Sequence, residues 1–146
     1  MGSSESNLPP VTLDQVLGLV KYINAVGGRV DSSRLDEMLN VDMDLLPHVV
    51  KAAVLLGLLK EEGGDLSITE EGLAAMSLSG RALRELIREL SSRVEPFKDI
   101  LALARGNSIS REDLVKVLRG LGYSNVDAAA DIFTEWLAYM GVSVTE

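Results

Sequence analysis

Apolar residues recur at helical spacing from the first part of the chain, which predicts an amphipathic helix over 13–23. Thr12 and Gln15 form a capping box at its start, in which each side chain satisfies a backbone amide of the other residue. Gly27 and Gly28 end this helix, since glycine readily adopts the left-handed conformation that terminates helices. The helix therefore has a defined start, a defined end and one apolar face: Leu13, Val16, Leu17, Val20 and Ile23.

Two further helices are predicted after a short extended piece. Asp31 or Ser32 is expected to cap the second helix, and a turn at 40–42 closes it. A third helix is predicted over 44–56, with Asp44 as its cap, and Gly57 ends it. The apolar positions of the second helix are Leu35, Met38 and Leu39.

A two-stranded hairpin is predicted to follow the third helix. Residues 58–61 and 66–69 form its strands, and the glycine pair between them forms the turn. Thr69 then caps a short fourth helix with two acids in its first turn. The order helix, short strand, helix, helix, hairpin is typical of a winged helix.

The second half repeats part of this plan. Helices are predicted over 80–93, 95–104 and 126–140, another begins at Ser110, and residues 142–144 are strand-like. Leu35 and Leu39 of the first half match Leu114 and Leu118 of the second.

We therefore expect a mainly α fold of tandem winged-helix-like units with small two-stranded β wings. The second unit would be degenerate, with a truncated wing; a plain helical bundle is the alternative. The expected organisation is a flexible N-terminal tail over 1–10, a winged-helix domain over 11–78 and a helical domain over 79–146.

Three stretches of the chain resemble the AAA-associated C-terminal domain family. This family occurs at the end of some ATP-binding-cassette subunits and also as small free-standing proteins. The resemblance implies a winged-helix-like accessory module without a catalytic centre, and an ATP-binding-cassette or other ATPase subunit as a partner. The stretches are LDQVLGLVKYINAVGGRVDSSRLDEML, VDMDLLPHVVKAAVLLGLLKEEGGDLSITEEG and DIFTEWLAYMGV.

Composition removes several classes of function. The chain has 146 residues, no cysteine and a single histidine, so thiolate zinc sites, cysteine nucleophiles and multi-histidine metal cages are excluded. No phosphate-binding loop motif is present. We expect no cofactor and no enzymatic activity. No apolar run reaches the roughly 18 residues that span a bilayer, and the N-terminus lacks signal-peptide features. A soluble, cytoplasmic protein is expected.

Charge argues against a polyanionic partner. The net charge is −8, from 22 acids and 14 bases. Residues 1–78 hold 12 acids and 5 bases, whereas each neutralised phosphate of DNA requires a basic contact. DNA binding through the 44–57 helix and the 58–69 wing is therefore the alternative function. Its contacts would be His48, Lys51 and Lys60.

Protein binding, including self-association into a homodimer, is the function that the sequence favours. Helix 44–59 is apolar on nearly every side and needs cover from the second half or from another chain. We single out Leu55 and Leu58 on its outer arc, the basic strip Arg81, Arg84 and Arg88, and the acidic stripe Asp127, Asp131 and Glu135. A solvated helix face is the ordinary interpretation of each charged strip, and a partly exposed structural residue is that of His48.

Overall fold

Helices make up most of the described chain, which covers residues 6–35 and 44–146 of a computed structural model. The prediction of a mainly helical protein with small sheets is confirmed. The helices are α1 (Leu13–Ala25), α2 (Leu46–Leu55), α3 (Glu70–Ser77), α4 (Gly80–Ser91), α5 (Phe97–Leu103), α6 (Arg111–Gly120) and α7 (Val126–Tyr139). A single 3-10 turn, Ser32–Arg34, follows the first strand.

Two small sheets accompany the helices. The strands are β1 (Arg29–Asp31), β2 (Leu59–Glu62), β3 (Asp65–Ile68), β4 (Ser108–Ser110) and β5 (Ser143–Thr145). The first sheet has the order β1-β3-β2 and is antiparallel. Leu66 on the central strand pairs with Val30 of β1 on one side and with Glu61 of β2 on the other. The second sheet pairs β4 with β5 in parallel. The sequence did not predict β4 or the parallel pairing.

Three helices begin at the capping residues that the sequence predicted. Thr12 and Gln15 form both hydrogen bonds of a capping box. The hydroxyl of Thr69 accepts from the amide of Gly72, and that of Ser110 accepts from the amide of Asp113. Each cap satisfies an amide that a helix start leaves without a partner.

The start of α2 differs from the prediction. The helix begins at Leu46, and its N-cap is Leu45, which makes no side-chain capping bond. Asp44 is therefore not the cap. Pro47 occupies the second helical position, where its missing amide costs no intrahelical bond. The predicted apolar positions Met38 and Leu39, and the turn at 40–42, lie outside the described residues.

The hairpin between β2 and β3 turns at Gly63 and Gly64. Both residues have positive φ, at 57° and 85°. A two-residue turn of this kind matches the right-handed twist of the strands, and glycine is the residue that adopts it at little cost. The predicted wing is thus a hairpin, with Glu62 paired to Asp65 at its tip.

α2 and α7 end in the same hydrogen-bond pattern. The amide of Leu58 donates to the carbonyl of Ala53 at 3.0 Å, and that of Val142 donates to Leu137 at 2.7 Å. A glycine with φ near +85° precedes each donor: Gly57 (83°) and Gly141 (89°). This is the Schellman arrangement, which turns the chain sharply into the next strand.

The core is continuous across the two halves. Buried side chains of α1, α2, α5, α6 and α7 form one contiguous hydrophobic cluster. Its centre in the second half is aromatic, since the ring of Phe97 lies 5.4 Å from the rings of both Phe133 and Trp136. The rings of Phe97 and Phe133 meet edge-to-face, a geometry that adds to the free energy of simple burial.

Residues 7–11, which we call the N-terminal segment, are held against the second half. Leu8 is fully buried, and its amide donates to the carbonyl of Glu95 at 2.7 Å. The hydroxyl of Tyr123 donates to the carbonyl of Leu8 at 2.6 Å, and the indole Nε1 of Trp136 donates to the carbonyl of Val11 at 2.8 Å.

This packing differs from the predicted flexible tail over 1–10, of which residues 1–5 lie outside the described part of the chain. Two hydrogen-bond partners of the segment, Tyr123 and Trp136, lie more than 110 residues away from it along the chain. A local pattern of polar residues and prolines cannot reveal bonds of that separation.

Candidate functional site

The three bases that were candidates for DNA contact lie on two elements, α2 and β2. His48 is exposed on the first turn of α2, and Lys51 is half-buried on the second. Lys60 is exposed on β2, and its Nζ lies 3.1 Å from Oε1 of Glu62. Arg29 is similarly paired with Asp65 at the wing, at 2.8 Å. The charges of the wing bases are thus partly neutralised by neighbouring acids.

Leu55 and Leu58 have different environments, although the sequence placed them on one exposed arc. Leu55 is half-buried, whereas Leu58 is fully buried. The prediction of Leu58 as a partner contact is wrong because α2 ends at Leu55 and the positive φ of Gly57 turns the next residue into the core. Helical spacing does not extend beyond the end of the helix.

A groove of about 480 Å³ runs along α2. We call it the α2 groove. Its floor is a stripe of α2 residues at the spacing i, i+3, i+4, i+7 and i+8, with residues 32–35 after β1 and one residue of β2 as walls. One base and one acid border it. The lining residues are Ser32, Leu35, Pro47, Val50, Lys51, Val54, Leu55 and Glu61.

A smaller pocket, of about 230 Å³, lies where the two halves meet. We call it the inter-half pocket. The N-terminal segment, the first two turns of α2 and the turn between α6 and α7 form its walls. Its lining residues are Asn7, Leu8, Pro9, Pro10, His48, Lys51, Gly122, Tyr123 and Ser124.

Tyr123 is the titratable group of this pocket whose environment is most altered. Burial raises the pKa of its hydroxyl far above the ordinary value, and the nearby charge of Glu95 raises it further. Because the folded protein favours the protonated hydroxyl, this contribution to stability is complete below about pH 10 and is lost as the pH rises through the raised pKa.

We therefore expect the free energy of unfolding to decline with pH above about pH 10, partly because of Tyr123. Urea unfolding at about pH 8 to 11 measures the slope. Tyr123→Phe removes the titrating group and the bond to Leu8, so the variant should be less stable at neutral pH but lose less stability at alkaline pH. An equal slope in both proteins would contradict this assignment.

The three arginines of the basic strip on α4 have two different environments. Arg88 donates from one guanidinium nitrogen to the carbonyl of Met140 at 2.9 Å and from the other to Oδ1 of Asn107 at 3.2 Å. It thereby satisfies a carbonyl at the C-terminal end of α7, where a cation is favoured. Arg81 and Arg84 are exposed and form no ion pair within 6–35 and 44–146. Of the three, only these two remain available to a partner.

The acidic stripe on α7 is exposed along its length but is not uniformly free. Oδ1 of Asp131 lies 3.0 Å from a guanidinium nitrogen of Arg111, and the carbonyl of Asp127 accepts from Arg111 at 3.5 Å. Glu135 borders a shallow depression beside Trp136 and Tyr139. The sequence analysis missed Arg111 because it belongs to α6, so no spacing within α7 points to it.

Metal-binding clusters and membrane-spanning helices are absent from the part of the chain that the structure describes. Those residues contain no group of three or more His, Asp or Glu side chains that could hold a metal ion. None of their helices has both the length and the apolar character required to cross a bilayer.

Comparison with curated proteins and with solved structures gave no match. The model of one protein family, described as the C-terminal AAA-associated domain, matches residues 33–145. This range holds α2 to α7, the β2-β3 hairpin and both strands of the second sheet, together with the α2 residues of the groove and of the pocket. On this match the resemblance carried by the three sequence stretches is confirmed, and the chain belongs to the C-terminal AAA-associated domain family.

Proposed function

We propose that the chain is a non-catalytic protein-interaction or regulatory module built from two winged-helix-like units, over 11–78 and 79–146. In the first unit, α1 packs against α2 and the β1-β3-β2 sheet. This arrangement is that of a winged helix, in which a strand that precedes the second helix pairs with a hairpin at the C-terminal end of the domain.

Two repeated local structures support the second unit. Asp31 caps a 3-10 turn and Ser110 caps α6, each directly after a short strand, and each precedes a buried leucine by four residues, Leu35 and Leu114. The shared helix end at Gly57 and Gly141 leads in each case into a strand. On this correspondence β4 and β5 match β1 and β2, and the second wing is reduced to β5.

The observation that carries the function is the character of the α2 face. In a winged helix this face would enter the major groove of DNA, where Arg, Lys, Asn or Gln side chains read base edges. Here the half-buried side chains of Val50, Val54 and Leu55 line the α2 groove, with one base, Lys51, and one acid, Glu61. An apolar groove with few charges fits an apolar protein segment better than a phosphate backbone.

Family membership favours an ATPase subunit as the partner, since the family is described as AAA-associated. A second copy of the chain is the other partner that we propose. Arg81 and Arg84 are exposed cations, and Glu135 is an exposed anion, so opposite charges are available on different faces of each copy. Light scattering over a range of concentrations distinguishes a self-associating chain from a strict monomer.

A duplex-DNA titration at low salt tests the proposal against its alternative. We expect no saturable fluorescence change, and we expect the double variant Lys51→Gln, Lys60→Gln to behave like the unchanged chain. The physical reason is that one of these bases is already paired with Glu62 and the surrounding surface is acidic or apolar.

Micromolar DNA binding would instead favour a DNA-binding regulator that uses helix 44–57 and wing 58–69. Such binding should weaken steeply with salt and be lost in the double variant. The matched control is Lys21→Gln, which removes an exposed lysine on α1, a helix that belongs to neither element.

A further inference from the structure

We propose that the inter-half pocket binds a small oxyanion, a phosphate or carboxylate group, through His48 and Lys51. The pocket shares only Lys51 with the residues that line the α2 groove, and the inference does not depend on the proposed function. Clefts between parts of a fold are preferred places for ligand sites.

The residues that line the pocket differ in charge from the chain as a whole. None of those described is acidic, and two, His48 and Lys51, carry basic nitrogens, in a chain whose net charge is −8. Glu95 lies outside this lining, near Tyr123. His48 and Lys51 are three positions apart on α2, so their Cβ atoms lie about 5–6 Å from each other. Neither forms an ion pair with a described residue. The two groups can therefore act together on one anion.

The walls of the pocket increase the strength of such an interaction. Leu8 and Pro9 are buried, and the ring of Tyr123 and Pro10 complete an apolar rim. Lys51 is half-buried beside them. A charge that is partly removed from water attracts an anion more strongly than a fully solvated one, because the effective dielectric constant is lower.

The pocket is also preformed. The side chain of Asn7 is buried, and its amide nitrogen donates to the carbonyl of Leu121 at 2.9 Å. The hydroxyl of Tyr123 is bonded to the carbonyl of Leu8. These bonds fix two walls, so a ligand would not have to order them on binding. The hydroxyl of Ser124, at the rim, is a further donor that an oxyanion could use.

The size of the pocket suits one small group. The volume of about 230 Å³ is below the about 300–1,000 Å³ typical of sites for larger small molecules. A terminal or side-chain carboxylate, or one phosphoryl group, fits this description.

An NMR titration of the full chain with sodium phosphate, at constant ionic strength set with sodium chloride, tests the site. We expect saturable amide shifts confined to residues 7–11, 48–51 and 122–125. His48→Gln and Lys51→Met should each weaken binding by about tenfold, since each removes a hydrogen bond to a charged group. Lys21→Met, an exposed lysine on α1, is the matched control and should leave binding unchanged.

A parallel titration with sodium acetate shows whether the pocket prefers a phosphate or a carboxylate group. Tighter binding of phosphate identifies a phosphoryl group, and tighter binding of acetate identifies a carboxylate; saturation by either supports the site. Shifts that stay linear in concentration for both anions would overturn it. So would binding that persists in the His48→Gln, Lys51→Met double variant, whose fold is checked by its amide spectrum.

Discussion

Trp136→Ala is expected to lower the free energy of unfolding by about 3–5 kcal/mol, a large part of the about 5–15 kcal/mol typical of a domain. The side chain is almost completely buried, and its ring packs 5.4 Å from that of Phe97. Its indole nitrogen also holds the carbonyl of Val11. The substitution therefore leaves a cavity and releases the N-terminal segment together.

Trp136→Phe separates these two effects. It keeps an aromatic ring in the core but removes the donor to Val11, so we expect a smaller loss, about 1–3 kcal/mol. Urea unfolding of the three proteins, followed by circular dichroism, gives the free energies. If the alanine and phenylalanine variants were equally stable, the ring packing would contribute little, contrary to what the aromatic core predicts.

Gly72→Ala is the second substitution with a large expected effect. A Cβ at this position would overlap the carbonyl oxygen of Leu58 and lie 2.6 Å from Cγ1 of Ile68. The carbonyl of Leu58 also accepts from the amide of Thr69 at 3.1 Å, so it cannot move aside without displacing the start of α3. We expect a loss of about 3 kcal/mol, at the upper end of overpacking costs.

Gly18→Ala is the matched control within a helix. Gly18 lies in the middle of α1 and is exposed, and a Cβ added there would have no atom within 4 Å. Alanine at an unhindered helical position is more favourable than glycine by about 0.5–1 kcal/mol, so this variant should be more stable. A lower melting temperature for Gly72→Ala and a higher one for Gly18→Ala would support the close approach of α3 to Leu58. An unchanged melting temperature for Gly72→Ala would contradict it.

Much of the first half could be predicted because its signals are local. The capping box of Thr12 and Gln15, the cap at Thr69 and the glycine pair at 63–64 each act over four residues or fewer. Such contacts depend only on nearby sequence, and the structure shows all of them.

The candidate site could be predicted only in part. His48 and Lys60 are exposed as expected, but Leu58 is buried and Arg88 is bonded to the end of α7. The neutralising contact from Arg111 to Asp131 joins two helices. Helical spacing tells which residues share a face of one helix, but not what another element places against that face.

By itself the sequence determined the helical class, the caps at Thr12, Thr69 and Ser110 and the hairpin turn, because caps, glycines and apolar periodicity act through the backbone of a few adjacent residues. Tertiary structure alone decided that Leu8 is a core residue, that β4 pairs with β5, and that His48 and Lys51 share a pocket with Tyr123. These arrangements join residues tens to more than a hundred positions apart, and their stability comes from burying surface and pairing polar groups that meet only when the chain has folded.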